Sequence, residues 1–200
     1  MATNVLVDSS RLQMLLGSYG VGKAQAMADP FVPLKAQKYR RNLSARMIAL
    51  DRASVNEKLP SCDCFVSRKI DGEFTLLLIT GEQCCSVNPG GVVRTGLPFM
   101  HEAVELLGKS KHKQILLAGE LYLARTDRRS RVHDVCWAAR QPDSQADLDQ
   151  LHFAVLDILD IDDKPASTAY TEVFKKIESV FKSGCEFILS RRRGPRRSRM

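Results

Sequence analysis

The amino-acid sequence predicts an α+β fold with mainly antiparallel sheets and flanking helices. Three observations carry that expectation. Apolar and β-branched runs near residues 73–95 are joined by short turn sequences, not by helices. Two longer runs, QILLAGELYLAR at 114–125 and LHFAVLDILDI at 151–161, read as strong strands. Stretches with helical spacing fall between and after these runs, without a strict strand–helix alternation.

Residues 1–60 read as an N-terminal segment of helix and loop. In SSRLQMLLG, a serine stands at a cap position, Leu12, Leu15 and Leu16 share a helical face, and Gly17 stops the run. ADPFVPLKAQKYRR, with Pro30 and Pro33, reads as loop. LSARMIALDRAS places Leu43, Met47 and Leu50 at helical spacing. The main domain is expected over 61–189. CFVSRKI and FTLLLIT read as strands joined at Asp71-Gly72, a hairpin dipeptide. QCCSV reads as a third strand, followed by the turn NPGG and by VVRTG. PFMHEAVELLGK reads as a helix, with Phe99, Ala103, Leu106 and Leu107 on one face and Gly108 at its end. Loop with some helix is expected between the two long strands. YTEVFKKIESVFKSG reads as an amphipathic helix closed by Gly184.

The composition, 44% hydrophobic and 26% charged, suits a globular domain with a real core. FTLLLI is too short to cross a bilayer, and the first residues show no basic-then-apolar signal. A cytoplasmic location with no membrane partner is therefore expected. The six cysteines form no CxxC pair and have no HxxxH companion, so reduced thiols are expected, not a zinc site. The four histidines show no triad pattern, and Trp137 is expected to pack inside. Net charge is +7, and six arginines fall in the last ten residues, which leaves +1 on the rest. A disordered basic tail over 190–200 is expected, able to hold phosphates by counterion release. The basic stretch RTDRRSR at 125–131 is a second candidate contact for nucleic acid.

Three strands each carry a charge that pattern alone does not place. Lys69 shares a face with Phe65 and Ser67. Glu120 shares one with Leu116, Ala118 and Tyr122. Asp157 shares one with Phe153, Val155, Leu159 and Ile161. A charge on a buried face is costly unless it is paired or liganded. One cation and two anions satisfy one another at a common site, or are satisfied there by a nucleotide with its metal ion.

KIDG at 69–72 resembles the nucleotidyl-lysine motif K-x-D-G of ATP-dependent polynucleotide ligases and mRNA capping enzymes. AGELYLAR at 118–125 looks like the second signature of that superfamily, D-G-E-[LI]-V, and FAVLDILDIDDKP at 153–165 looks like the third. SVNPGGVVRTGLP is similar to the ligase stretch S-R-N-G…FP. Phe74 stands where the family has Arg, and Ala118 where it has an acid. No E-G-x-[VM]-x-[KR] motif and no K-x-K strand follows Asp157.

The resemblance implies a partial nucleotidyltransferase (adenylation) domain, with ATP and Mg²⁺ as cofactors. Lys69 would attack the α-phosphorus of ATP and form a lysyl-AMP intermediate. Asp71 and Gly72 would complete the nucleotide-binding motif. Glu120 would contact the ribose or order the metal shell, Phe153 would stack on the adenine, and Asp157 would belong to the third motif. The AMP would pass to a 5′-phosphate end for nick sealing in DNA repair and recombination, with DNA ahead of RNA as substrate. The missing motifs imply a chain inactive alone, or one whose domain a partner chain completes. The alternatives are a non-catalytic nucleic-acid-binding remnant of the fold, and an RNA-ligase or capping-type enzyme. GSYGVGKA at 17–24 competes as a phosphate-binding loop of an ATPase, although Ala24 lacks the metal-binding hydroxyl.

Overall fold

The computed structural model describes residues 5–58, 69–125, 128–182, 184 and 187–189. The chain enters through a 3-10 turn at Ser9–Arg11 and a hairpin of β1 (Leu12–Leu16) and β2 (Tyr19–Lys23). Helix α1 spans Phe31–Arg46, and a single turn, α2, spans Val55–Lys58. A meander of β3 (Glu73–Thr80), β4 (Cys84–Val87) and β5 (Val92–Thr95) leads into α3 (Pro98–Gly108). Then come β6 (Gln114–Leu123), α4 (Val132–Arg140), α5 (Gln145–Asp149) and β7 (Leu151–Ile161). The short β8 (Lys164–Pro165), α6 (Tyr170–Phe181) and β9 (Phe187–Leu189) follow.

All nine strands join one sheet among the described residues, in the order β1-β2-β5-β4-β3-β6-β7-β8. Those eight are antiparallel, and β9 lies parallel to β7. The α+β expectation is met. The long central strands are apolar along most of their length because both faces of the sheet are covered. One face carries the larger core, where Leu77, Ile79, Leu117, Leu121, Phe153 and Val155 pack under α3, α4 and α6. The other face packs Phe74, Leu76, Leu78, Leu116 and Ala118 against Val32, Ala36 and Tyr39 of α1. Among the described residues no helix is long and apolar enough to cross a membrane.

The N-terminal expectations need correction. SSRLQMLLG is a 3-10 turn running into β1, not a helix, and β1 and β2 are edge strands of the main sheet. The glycine-rich 17–24 stretch is therefore the β1–β2 hairpin: Gly17-Ser18 makes the turn, and Gly20, Gly22 and Lys23 lie in β2. A phosphate-binding loop needs a strand leading into a helix, so that reading fails. The proline-containing stretch read as loop is the start of α1. Pro30 caps the helix and Pro33 sits in its first turn, where a missing N–H removes no helical bond. That helix ends at Arg46, so Met47 and Leu50 are not helical.

Of the expected strand CFVSRKI (64–70), residues 64–68 lie outside the described residues, as does the 190–200 tail. The other strand of the hairpin expected at Asp71-Gly72 thus lies outside the described residues, and the dipeptide leads into β3. That strand has β6 along its whole length on one flank and β4 along Leu76–Ile79 on the other. The third strand, the NPGG turn, α3, the two long strands and α6 fall where the sequence places them.

Candidate functional site

The site is organised by β3 and β6. Phe74 pairs with Glu120, and Glu73 with Leu121, so the KIDG segment reaches β3 directly beside the second charged strand. Gly72 makes this approach possible. A Cβ there would sit 2.2 Å from the Leu121 carbonyl oxygen and 3.3 Å from Cβ of Glu120. Only glycine lets the backbone press this closely on β6. The glycine of the motif thus has a packing reason in this chain.

Glu120 projects from β6 into a half-buried position. Its Oε2 is buried and has no hydrogen-bond partner among the described residues. Burial drives its carboxyl up to about 7, opposed by the positive charges of Arg40 and Lys69 and assisted by the negative charges of Asp71 and Glu73. Lys69 is exposed, yet near enough to be felt by Glu120. The structure therefore brings Lys69, Asp71, Gly72 and Glu120 to one locality.

Asp157 lies on the same sheet face, one strand further over, paired with Ala118. It is satisfied locally: Tyr39 of α1 donates its hydroxyl to Oδ2 at 2.7 Å, and the Ile158 N–H donates to Oδ1 at 2.8 Å. Burial, followed by the hydrogen bond to Asp157, raises the Tyr39 phenol. Tyr39 also stacks on Phe74, with ring centroids 5.6 Å apart, and Arg40 lies over the same ring at 5.7 Å. One turn earlier, Lys35 reaches Asp160 at 2.6 Å. Helix α1 therefore lines the site with Lys35, Tyr39 and Arg40. Sequence reasoning missed these three because it read the segment as loop. The stripe Val32, Ala36, Tyr39, Leu43 was the available signal.

Phe153 does not join the group. Two register shifts in the β6–β7 pairing change which residues share a face. Val155 pairs with Gly119 while Asp157 pairs with Ala118, so the residue between them is extra. Phe153 and Val155 therefore pack in the larger core, and Asp157 turns to the α1 face. Phe153 is fully buried, stacks on Phe99 at 5.8 Å, and lies across Gly119, where a Cβ would meet its ring at 2.4 Å. This placement is that of a packing residue, and the adenine-stacking role expected for it does not match.

Beside Asp71, on the α4 side, Arg128, Arg129, Arg131 and His133 line a cavity of about 470 Å³. Arg129 stands 3.9 Å from Asp71. Among the described residues, no three His, Cys, Asp or Glu side chains gather as metal ligands. A magnesium ion here would rest on Glu120 and the phosphates of its nucleotide, which is the usual habit of that ion. The unpartnered Glu120 oxygen fits such a role.

No protein-family model matches the chain, and no curated protein matches it. Among solved structures, the chain is similar to the ligase domain of LigD from M. tuberculosis, with 17% identity and a TM-score of 0.51. The likeness covers 66% of this chain and 41% of that domain. This chain thus has the fold of part of a ligase nucleotidyltransferase domain, over less than half of the solved domain's length.

Proposed function

We propose that the chain is a ligase-like adenylyltransferase module in which Lys69 takes AMP from ATP. One observation carries the reading: Glu120 is a half-buried carboxylate whose enclosed Oε2 has no partner among the described residues, lying within electrostatic reach of Lys69 and held against the KIDG turn by Gly72. A structural carboxylate at this depth would be paired. This one has an enclosed oxygen that no described residue serves.

In the proposed step, the Lys69 amine loses a proton and attacks the α-phosphorus. An N–P bond forms while the bond to pyrophosphate breaks. Glu120 would accept a ribose hydroxyl or help to hold magnesium, which would give its oxygen the partner it lacks among the described residues. Magnesium supplies charge neutralisation of the triphosphate and of the departing pyrophosphate. Arg40, exposed over Phe74, adds positive charge at the same mouth. Transfer of the AMP to a 5′-phosphorylated nucleic-acid end, with DNA ahead of RNA, is the expected next step.

Incubation with α-labelled ATP and magnesium, followed by a denaturing gel, tests this. Label is expected on the chain, and Lys69→Ala should abolish it. Preference for labelled GTP would move the reading to a capping-type enzyme. Absence of label with either nucleotide would favour the non-catalytic, nucleic-acid-binding reading.

A further inference from the structure

Helix α4 presents a surface that the adenylylation reading leaves unused. Its buried side is Val135, Ala138 and Ala139, which face the sheet. Its exposed stripe is His133, Cys136, Trp137 and Arg140, spaced i, i+3, i+4 and i+7. Trp137 is 56% exposed, against the expectation that it packs inside. An indole left in water on a short, otherwise well-packed helix has no core role. His133 begins the stripe and also lines the cavity formed with Arg128, Arg129, Arg131 and Asp71. Trp137 lies about 6 Å further along the axis, one helical turn away.

The cavity is cationic: three arginines face one carboxylate. Arg128 is fixed by a two-pronged contact to Asp134, at 2.9 and 2.7 Å. That pair, with the Arg131 N–H donating to the same carboxylate, holds the Asp134 carboxyl at about 2 and sets the loop's shape. Among the described residues Arg129 is not engaged in this way; it stands 3.9 Å from Asp71, beyond hydrogen-bond distance. Arginine forks fit phosphate oxygens, and an exposed indole one turn away fits the face of a base.

We infer that this arginine cavity and Trp137 together bind single-stranded nucleic acid, with backbone phosphate in the cavity and an unpaired base stacked on the indole. A base inside a duplex has both faces covered by its neighbours, so only an unpaired base can stack in this way. The inference does not rest on adenylyl transfer, since neither Lys69 nor Glu120 takes part.

Trp137 is the one tryptophan in the sequence, so its emission reports this surface directly. The full chain is titrated with labelled oligo(dT), without nucleotide triphosphate or magnesium. Indole emission and oligonucleotide anisotropy are followed together. The expected result is quenching in step with binding. Trp137→Ala should weaken binding about ten-fold and Trp137→Phe should restore most of it, as a base stack is worth ~1–3 kcal/mol. Arg129→Ala should lower the salt-dependence slope by about 0.7, the value for one phosphate on a single strand. These side chains are exposed, and thermal melts of each variant check the fold; if the alanine variant melts early, the phenylalanine variant decides. Rising anisotropy without quenching would place binding in the arginine-rich tail and overturn the inference. Equal quenching by a duplex of the same length, or by polyglutamate, would also overturn it, as would no binding at all.

Discussion

Two glutamates on adjoining strands have opposite surroundings. Glu73 of β3 and Glu120 of β6 differ by one position in register and so point to opposite faces of the sheet. Glu73 is enclosed by partners: Arg94 at 2.6 Å and the Asn88 amide at 2.7 Å. Asn88 in turn accepts the Val92 N–H across the turn from β4 to β5. Glu120 has a buried oxygen with no such partner among the described residues. The first face carries the Arg94–Glu73 ion pair, knitted into strands and turn. The second packs Phe74, Leu76, Leu78, Leu116 and Ala118 and carries Glu120 and Asp157 beside them. A buried charge that the fold completes is structural. One that it leaves incomplete is the better candidate for a ligand.

The largest expected effect breaks the paired side. Arg94→Ala leaves Glu73 buried without its cation and should destabilise the chain by about 3–5 kcal/mol, read from denaturant unfolding. A loss below about 1 kcal/mol would mean that water already serves Glu73 and that the contrast is false. Next comes the turn between the two sides. Gly72→Ala must move Leu121 or the KIDG backbone, because the added methyl meets a carbonyl at 2.2 Å. A loss of at least about 2 kcal/mol is expected, together with loss of any lysyl adduct.

Glu120→Gln should act in the other direction, and in a pH-dependent way. Its carboxyl is raised in the folded chain, so the folded state holds a proton that the unfolded chain releases. The stability tied to that proton is complete below the ordinary glutamate range and is lost as pH rises through about 7. The amide lacks this loss. It should therefore stabilise the chain by about 2 kcal/mol at pH 8 and change little at pH 4. Thermal melts at the two pH values check the sign. The smallest effect is expected at the rim: Lys35→Ala removes a half-exposed ion pair with Asp160 and should cost under about 1 kcal/mol, less still in high salt.

The sequence disclosed the centre of the sheet better than its edges. In β6 and β7, long apolar runs leave little choice but strand, and in α3 and α6 the 3.6-residue period is plain. LQMLL fits either period over so short a length, so the β1 edge strand was read as helix. Prolines obscured α1, since sequence pattern does not separate a proline in a first turn from one in a loop. At the site, Lys69 and Glu120 were legible as charges in unusual places, and Asp71 and Gly72 through the resemblance of KIDG to a known motif. The separation of Phe153 from Asp157 was not, because a β-bulge leaves no mark on an alternating pattern. Arg40 and Tyr39 enter the site only through the packing of α1 across the sheet, a long-range contact that local pattern does not encode.

The Glu120 carboxyl carbon, followed by NMR through a pH titration with and without ATP and magnesium, tests the contrast most directly. A midpoint near 7 in the free chain, falling when nucleotide and metal are added, is the expected result. A midpoint near 4.3, the value of an ordinary glutamate, unchanged by nucleotide, would contradict it.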